Sequence, residues 1–209
     1  MNEIGIILAL LCAAIVIYAV RELVLESRIQ QYNAPMPVLP FVSTPEVEIK
    51  EDEEVLKVNL VNALVFEKFV VSKFDAKYFQ ILDWRSDKSH DGKYPLSNLY
   101  PDIEFAFRLN ELEICFAVEC KWRKNFYNNG FAIKSKQVNR YFTYQKSLNE
   151  KVFIVLGVGG TPNDPSYLYV IPLSSLNPDA DFLSLGFLDK FYKNPSGNFF
   201  FDPTHQTLK

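Results

Sequence analysis

Three charged residues, Asp102, Glu119 and Lys121, stand near the two ends of a largely apolar segment. Carboxylate oxygens are the ligands that Mg²⁺ prefers in proteins, where the ion usually keeps several water molecules. A lysine beside such an ion can orient or deprotonate a water molecule, or offset negative charge that develops on a phosphate. These residue types indicate a divalent-metal site, provided that the fold brings the two carboxylates together.

The pattern of this segment predicts a β-hairpin with strands over 103–109 and 112–121, joined at Asn110-Glu111. With this turn, the two residue numbers of each facing pair add up to 221. Every pair on one face is then apolar: Ile103 with Val118, Phe105 with Phe116, Phe107 with Ile114, and Leu109 with Leu112. A shift of one residue would set apolar side chains against polar ones, so the pattern favours this register.

The other face of the predicted hairpin carries the charged residues. Asp102 faces Glu119 there, and Lys121 points to the same side as Glu119, two residues further on. Two adjacent carboxylates repel each other unless a cation lies between them, which again indicates a metal site. Glu104 shares this face, and we expect it to be a solvated carboxylate, with a role as an accessory metal ligand as the alternative.

Tyr100-Pro101-Asp102, followed after sixteen residues by Glu119-Cys120-Lys121, resembles the PD-(D/E)XK signature of restriction-endonuclease-like nucleases. The resemblance implies an α/β fold with an αβββαβ core and a mixed central sheet, covering about residues 53–172. It also implies hydrolysis of phosphodiester bonds.

The resemblance assigns roles to individual residues. It implies that Asp102 and Glu119 bind Mg²⁺ or Mn²⁺, with the backbone carbonyl of Cys120 as a further ligand. It assigns Lys121 to the attacking water and the scissile phosphate. Further positions match the pattern of the family: Glu67 on the first helix, and Gln137 and Tyr141, one turn apart on the second helix.

The elements that must position these residues follow from hydrophobic periodicity. We expect a first helix over 53–74, a second over about 134–148, and strands over 77–85, 103–109, 112–121, 152–158 and 167–172. This order predicts an α/β domain. For the end of the chain we expect a helix near 181–193 and an edge strand near 198–201.

Charge is distributed unevenly along the chain. The whole sequence has a formal net charge of −3, which argues against binding nucleic acid through bulk charge. Residues 120–149, however, contain seven lysines and arginines and no acidic residue, interleaved with aromatic residues. Because phosphate contacts supply much of the affinity for nucleic acid, this stretch is typical of a phosphodiester-binding surface. The loop 125–131 is expected to be a mobile flap over the substrate.

Other chemistries find little support in the sequence. The two histidines, His90 and His205, lack the spacing of a zinc site. Cys115 and Cys120 form no CxxC pattern, and we expect buried thiols in a reducing compartment. No GxSxG motif is present.

The N-terminal region predicts a membrane anchor over residues 1–28. Residues 4–20 are 17 residues without a charge, about 26 Å as a helix, which is adequate with flanking anchors. A secretory signal peptide is the rival interpretation, but the basic N-terminus that it needs is missing. Arg21 and Arg28 follow the span, so the C-terminal domain is expected in the cytoplasm.

A linker over 29–50 follows, with four prolines between residues 35 and 45, and the nuclease-like domain is expected over 51–209. The sequence thus predicts a membrane-tethered, Mg²⁺-dependent endonuclease that acts on DNA, with a homodimer left open. The alternatives are a catalytically inactive binding or scaffold protein with the same fold, and an unrelated α/β fold.

Overall fold

The computed structural model describes residues 53–85 and 100–209, which belong to one compact unit spanning Ile49–Lys209. The predicted anchor and linker lie outside the described residues, as does His90. In the ranges just given, no helix has the length and apolar character needed to cross a membrane. The boundaries 1–28, 29–50 and 51–209 therefore stay predictions.

The described residues form helices and strands in nearly the predicted order. These are α1 (Glu53–Ser72), β1 (Phe79–Trp84), β2 (Ile103–Leu109), β3 (Leu112–Arg123), β4 (Gly130–Ala132), α2 (Ser135–Leu148), β5 (Lys151–Val158), β6 (Tyr167–Pro172), β7 (Phe182–Ser184), α3 (Leu185–Leu188), β8 (Tyr192–Lys193), β9 (Phe201–Asp202) and β10 (Thr207–Leu208). Up to β6 the order is the predicted one, with the short β4 as an addition.

One central sheet organises the fold, with the strand order β1-β2-β3-β5-β6-β8. Strands β3 and β5 run parallel and are connected through α2, whereas the other neighbours in this sheet are antiparallel. The structure is therefore mixed α/β with a mixed central sheet, as the sequence predicted. Two short antiparallel pairs, β4 with β7 and β9 with β10, stand apart from it.

The register of the β2–β3 hairpin is the predicted one. The pairs run from Ile103 opposite Val118 to Leu109 opposite Leu112, so the numbers of each pair sum to 221. Asn110 begins the two-residue turn with a φ of 55°, a left-handed conformation that asparagine tolerates well. The alternation of apolar residues thus fixes which side chains share a face.

Both faces of the sheet are buried, each under its own helix. Phe66 and Val70 of α1 pack with Phe105, Phe116 and other residues on one face, which the C-terminal β9–β10 hairpin also covers. Val138, Tyr141 and Tyr144 of α2 pack on the opposite face with Ala117 and Ile154. The hairpin face that carries the charged residues is therefore covered by α2, not open to water.

Helix α1 buries its C-terminal half against the sheet. Phe66 and Val70 are fully buried there, whereas Val55, Val58 and Val61 near the N-terminus are exposed. Phe66 lies against Gly157 of β5, where an added Cβ atom would collide with the phenyl ring. The close approach that this glycine allows brings the buried half of α1 onto the central strands.

Two predictions for the end of the chain hold only in part. Within the range 181–193 only Leu185–Phe191 is helical, as the four-residue α3 and the 3₁₀ turn Asp189–Phe191, and the short strands β7 and β8 flank it. Backbone pairing of β7 with β4 and of β8 with β6 outweighs the local helical periodicity. The strand expected near 198–201 is β9, which pairs with β10 and not with the edge of the central sheet.

Candidate functional site

The predicted carboxylates come together at the open end of the β2–β3 hairpin, away from its turn. Asp102 directly precedes β2, and Glu119 and Lys121 lie near the C-terminal end of β3. The Cys120 backbone N–H donates a 2.7 Å hydrogen bond to Asp102 Oδ2, so Asp102 contacts the strand that carries Glu119. This contact extends the register by one step beyond the last backbone pair, Ile103 with Val118.

Glu119 is the most heavily hydrogen-bonded of the predicted residues. Its side chain is only 3% exposed, and its Oε1 atom accepts from Lys121 Nζ at 2.6 Å and from Gln137 Nε2 at 3.2 Å. Tyr141 also hydrogen-bonds Glu119. Gln137 and Tyr141, one turn apart on α2, therefore act on the same carboxylate from the helix that covers this face.

Burial shifts the acidity of two groups around this carboxylate. Burial, and then the negative charge of Glu119, raises the pKa of the Asp102 carboxyl well above its usual range, while Lys121 and the Cys120 N–H oppose this. Burial and the charge of Glu119 also raise the pKa of the Tyr141 phenol well above its usual value. A tyrosine that stays protonated is able to donate to Glu119. Asp102 is the carboxylate that would gain most from a nearby positive charge.

Glu67 approaches the same site from α1. It is buried, and its negative charge contributes to raising the pKa of Asp102. Its Oε2 atom accepts a 2.6 Å hydrogen bond from Trp84 Nε1 at the end of β1. Trp84 was missed by sequence reasoning, since nothing local links it to a residue 17 positions earlier.

All seven predicted site residues line one cleft of about 930 Å³. Its floor holds Glu67, Asp102, Glu119, Cys120, Lys121, Gln137 and Tyr141. The walls add Tyr100, which precedes β2, and residues from the exposed part of α1, the end of β3 and the β5–β6 turn: Val58, Asn59, Asn62, Ala63, Trp122, Arg123, Lys124, Gly160, Thr161 and Pro162. The cleft therefore brings buried or half-buried carboxylates together with Lys121 and with the exposed cations Arg123 and Lys124.

The donor set of the cleft fits a divalent cation of the Mg²⁺ type. Across residues 53–85 and 100–209, no three histidine, cysteine, aspartate or glutamate side chains form a group ready to hold a metal. Mg²⁺ does not need one, because it binds through one or two carboxylates and completes its coordination with water and substrate phosphates. Asp102 and Glu119 would hold the ion, and its charge would offset the repulsion between these two carboxylates.

Arg85 is a second residue that sequence reasoning missed. Its backbone N–H donates to the Asp102 carbonyl at 2.7 Å, and its Nη1 atom donates to the Pro101 carbonyl at 3.0 Å. Its Nη2 atom lies 2.8 Å from Glu104 Oε2, which also accepts from the Tyr144 hydroxyl at 3.2 Å. Arg85 therefore fixes the backbone that carries Asp102 and is a positioning residue.

The expectation that Glu104 is solvated is wrong. Glu104 is buried on the face that α2 covers, and it pairs with Arg85 and Tyr144. It is not among the residues that line the cleft. The burial of both faces of the sheet is the physical reason, because a residue on the charged side of the hairpin then lies under a helix.

The loop predicted to be a flap is partly regular structure. Its last residues belong to β4, which pairs with β7. Tyr127 and Gly130 exchange two backbone hydrogen bonds of 3.0 and 2.9 Å around Asn128 and Asn129, which both have left-handed φ angles. This is the geometry of a tight two-residue hairpin turn. The loop is therefore pinned at its base.

Comparison with known proteins gave one kind of similarity, to solved structures. No protein-family model matches the sequence, and no curated protein matches it. Among solved structures, the chain is similar to Hjc, a Holliday junction resolvase of Archaeoglobus fulgidus, with 14% identity and a TM-score of 0.43. The alignment covers 62% of this chain and 88% of that one.

Proposed function

We propose that this protein is a divalent-metal-dependent nuclease of the PD-(D/E)XK superfamily that hydrolyses phosphodiester bonds in DNA. The observation that carries the proposal is the convergence of Asp102, Glu119 and Lys121 in one cleft, with Lys121 Nζ 2.6 Å from Glu119. The two acidic residues are seventeen positions apart in the sequence and meet only through the hairpin register. A structural role alone does not explain a half-buried Asp102 carboxylate beside the buried carboxylate of Glu119, since the two negative charges repel each other.

Each residue of the cleft has a separate role in the proposed hydrolysis. A bound Mg²⁺ or Mn²⁺ ion supplies Lewis-acid chemistry, which polarises the phosphoryl group and makes water a stronger acid. Lys121 offers a positive charge beside Glu119 to orient the attacking water and to offset the charge that builds up on the phosphate. Gln137 and Tyr141 hold Glu119 in place, and the Cys120 N–H holds Asp102. Glu67 adds a third negative charge at the metal side of the cleft.

The charge of the rim supports a polyanionic substrate. Arg123 and Lys124 line the cleft directly after the carboxylate-bearing part of β3. They belong to the stretch 120–149, which has seven cationic residues and no acidic one. Lysine and arginine contacts to phosphates supply sequence-independent affinity for DNA.

We further propose that residues 4–20 tether the nuclease domain to a membrane, with the domain in the cytoplasm. The support is the uncharged apolar run and the arginines that follow it, Arg21 and Arg28. The four prolines of the linker would hold the domain away from the bilayer surface.

The proposal is tested by incubating the purified full chain with supercoiled plasmid and with single-stranded circular DNA. We expect cleavage with Mg²⁺ or Mn²⁺ and none after chelation with EDTA. Asp102→Ala and Lys121→Ala should each reduce the rate by about a hundredfold or more, since each removes a group from the reacting centre.

Glu113→Gln provides the matched control. Glu113 is an exposed carboxylate of the same strand, paired with Arg108 at 2.8 Å near the hairpin turn. Its substitution should leave cleavage unchanged. Equal activity of Asp102→Ala, Lys121→Ala and the wild-type protein would refute the proposal.

The runner-up function is an inactive nuclease fold that binds a partner or nucleic acid at the membrane. One observation favours it: the cation of Lys121 already compensates the charge of Glu119 at 2.6 Å. Binding of DNA without metal-dependent cleavage in the same assay would select this alternative.

A further inference from the structure

Two exposed tyrosines stand beside the basic rim of the cleft. Tyr127 is 63% exposed and Tyr167 is 47% exposed, although large aromatic side chains usually bury most of their surface. Phe126 packs against Tyr167 with ring centroids 5.3 Å apart. We call Phe126, Tyr127 and Tyr167 the aromatic ledge.

The topology places the ledge at the end of the sheet where the cleft opens. Arg123 of β3 lies opposite Val158 of β5, which in turn lies opposite Tyr167 of β6. Tyr167 therefore shares a row with Arg123, two strands away. Phe126 follows Lys124, a cleft-lining residue, by two positions. A strand of nucleic acid that leaves the cleft over Arg123 and Lys124 reaches the ledge next.

The ledge is held in place by its supports. Tyr127 begins the tight turn closed by its two backbone hydrogen bonds with Gly130. Phe126 packs against both Tyr167 and Tyr169, and Tyr169 is almost fully buried. These contacts fix the rings of Phe126 and Tyr167 and the backbone of Tyr127, and a fixed aromatic face loses little conformational entropy when a flat ligand stacks on it.

The positive charge of Arg123 and Lys124, next to the aromatic ledge, indicates an anionic ligand. Within the part of the chain that the structure describes, no ion pair joins Arg123 or Lys124 to a carboxylate. Cationic side chains next to exposed aromatic rings match the phosphates and the bases of a single strand. A wholly apolar partner would leave these charges buried without compensation, and a base-paired duplex keeps its base faces stacked on one another.

We infer that the aromatic ledge binds unpaired bases of a single DNA strand whose backbone lies in the cleft. The inference rests on the proposed function, which places the backbone of a DNA strand in the cleft. It adds the substrate class: DNA that is single-stranded or unpaired next to the cleavage site. Stacking on tyrosine is tolerant of base identity, so no sequence preference is expected from the ledge.

The test measures binding with EDTA present, so that cleavage plays no part. The full chain is titrated into an oligothymidylate that carries one 2-aminopurine, a base whose fluorescence falls when it stacks. We expect quenching, and tighter binding than to a duplex of the same length. Tyr127→Ala and Tyr167→Ala should each weaken binding to the single strand by about tenfold and reduce the quenching.

Three further variants separate stacking from other effects. Tyr127→Phe keeps the ring and should bind like the wild-type protein, whereas Tyr127→Leu keeps apolar bulk without the ring and should behave like Tyr127→Ala. Phe200→Ala removes a 70% exposed ring that does not line the cleft, and should change nothing. Losses in the tyrosine variants no larger than in Phe200→Ala would overturn the inference.

Failure of this inference is distinguishable from failure of the proposed function. Tyrosine-dependent quenching without cleavage in Mg²⁺ would refute the nuclease activity and support the ledge. Cleavage with equal binding of single-stranded and duplex DNA would refute the ledge alone. Tighter binding of an oligouridylate than of the oligothymidylate would overturn the assignment to DNA.

Discussion

Individual residues in the cleft differ in how well their charges are compensated. Glu119 receives hydrogen bonds from Lys121, Gln137 and Tyr141, which stabilise a carboxylate in a buried place. Asp102 accepts from the Cys120 backbone, yet burial and the charge of Glu119 still raise its pKa. Asp102 is therefore kept at an energetic disadvantage, as is common for groups that serve function and not stability.

Asp102→Asn should abolish cleavage and raise stability. The amide oxygen is still able to accept from the Cys120 N–H, while the repulsion with Glu119 is lost. A gain of about 1 kcal/mol would raise Tm by about 2–4 °C in a protein of this size. Millimolar Mg²⁺ should raise Tm of the wild-type protein, since a ligand that binds the folded state stabilises it, and should leave the variant unchanged. Differential scanning fluorimetry measures both effects.

Glu113→Gln serves as the reference for this comparison, because it removes an exposed negative charge from the same β2–β3 hairpin. A variant Asp102→Asn that melts well below the wild-type protein would show that the carboxylate stabilises the fold. In that case its place in the cleft would be structural.

Arg85 should be needed for stability through its pairing with Glu104. Arg85→Met leaves the buried Glu104 carboxylate without its cation, and breaking such a pair costs about 3–5 kcal/mol. Adding Glu104→Gln should recover much of this loss, because the Tyr144 hydroxyl can still donate to the amide oxygen. Urea denaturation with unchanged m-values measures the two steps. Independent, additive losses would contradict the pairing.

The helices and strands that were predicted correctly are those whose own hydrophobic pattern shows which of their faces is buried. Strand β2 matches its predicted bounds, 103–109, because a period of two over a full strand specifies both register and face. Helix α2 begins one residue after the predicted start, at Ser135. Strands β7 and β8 were missed because two or three residues carry no periodicity, and their partners β4 and β6 lie far away in sequence.

The C-terminal hairpin should lose stability in acid through Asp202. This carboxylate accepts from Lys209 Nζ at 2.9 Å and contacts His205 Nδ1 at 2.9 Å, and hydrogen bonds from these two residues hold its pKa well below the usual range. A depressed pKa in the folded state means that folding favours the ionised form, so the contribution is present above about pH 4. It is lost as the pH falls through the folded pKa.

Asp202→Asn should therefore lower Tm slightly at pH 7, and the difference from the wild-type protein should narrow as the pH falls below about 4. Asp179→Asn, in an exposed loop, is the control for loss of one negative charge. The test measures Tm of the wild-type protein and both variants between pH 2 and 8, at intervals of about one pH unit. A difference that stays constant across this range would contradict the assigned ion pairs.

The net charge of −3 for the whole chain conceals a local concentration of cationic residues. The acid-free stretch 120–149 includes the end of β3 and all of α2, and three of its seven cations, Lys121, Arg123 and Lys124, line the cleft. The affinity for a polyanion depends on this local field and not on the total charge. The tether, in turn, would confine this field to a membrane surface.

The full chain should be an integral membrane protein. We expect it in the membrane fraction after cell lysis, resistant to extraction by high salt and by alkaline carbonate. Leu11→Arg places a charge near the middle of the span, which costs about 2.5–3.5 kcal/mol on insertion, and should shift the protein to the soluble fraction. Gln31→Arg in the linker is the matched control. Soluble wild-type protein would refute the anchor.

The sequence by itself determined the hairpin register and the order of the main helices and strands, because alternation and helical periodicity record locally what each face contacts. It also indicated seven of the eighteen residues that line the cleft. Only the tertiary structure decided that α2 covers the charged face, that Glu104 is paired with Arg85 and not with water, and that Trp84 holds Glu67. These facts depend on contacts between distant segments, whose energies no single stretch of sequence encodes. The apolar spacing of α1 shows the same limit: it predicted the helix, but the packing against β3 and β5 selected which half is buried.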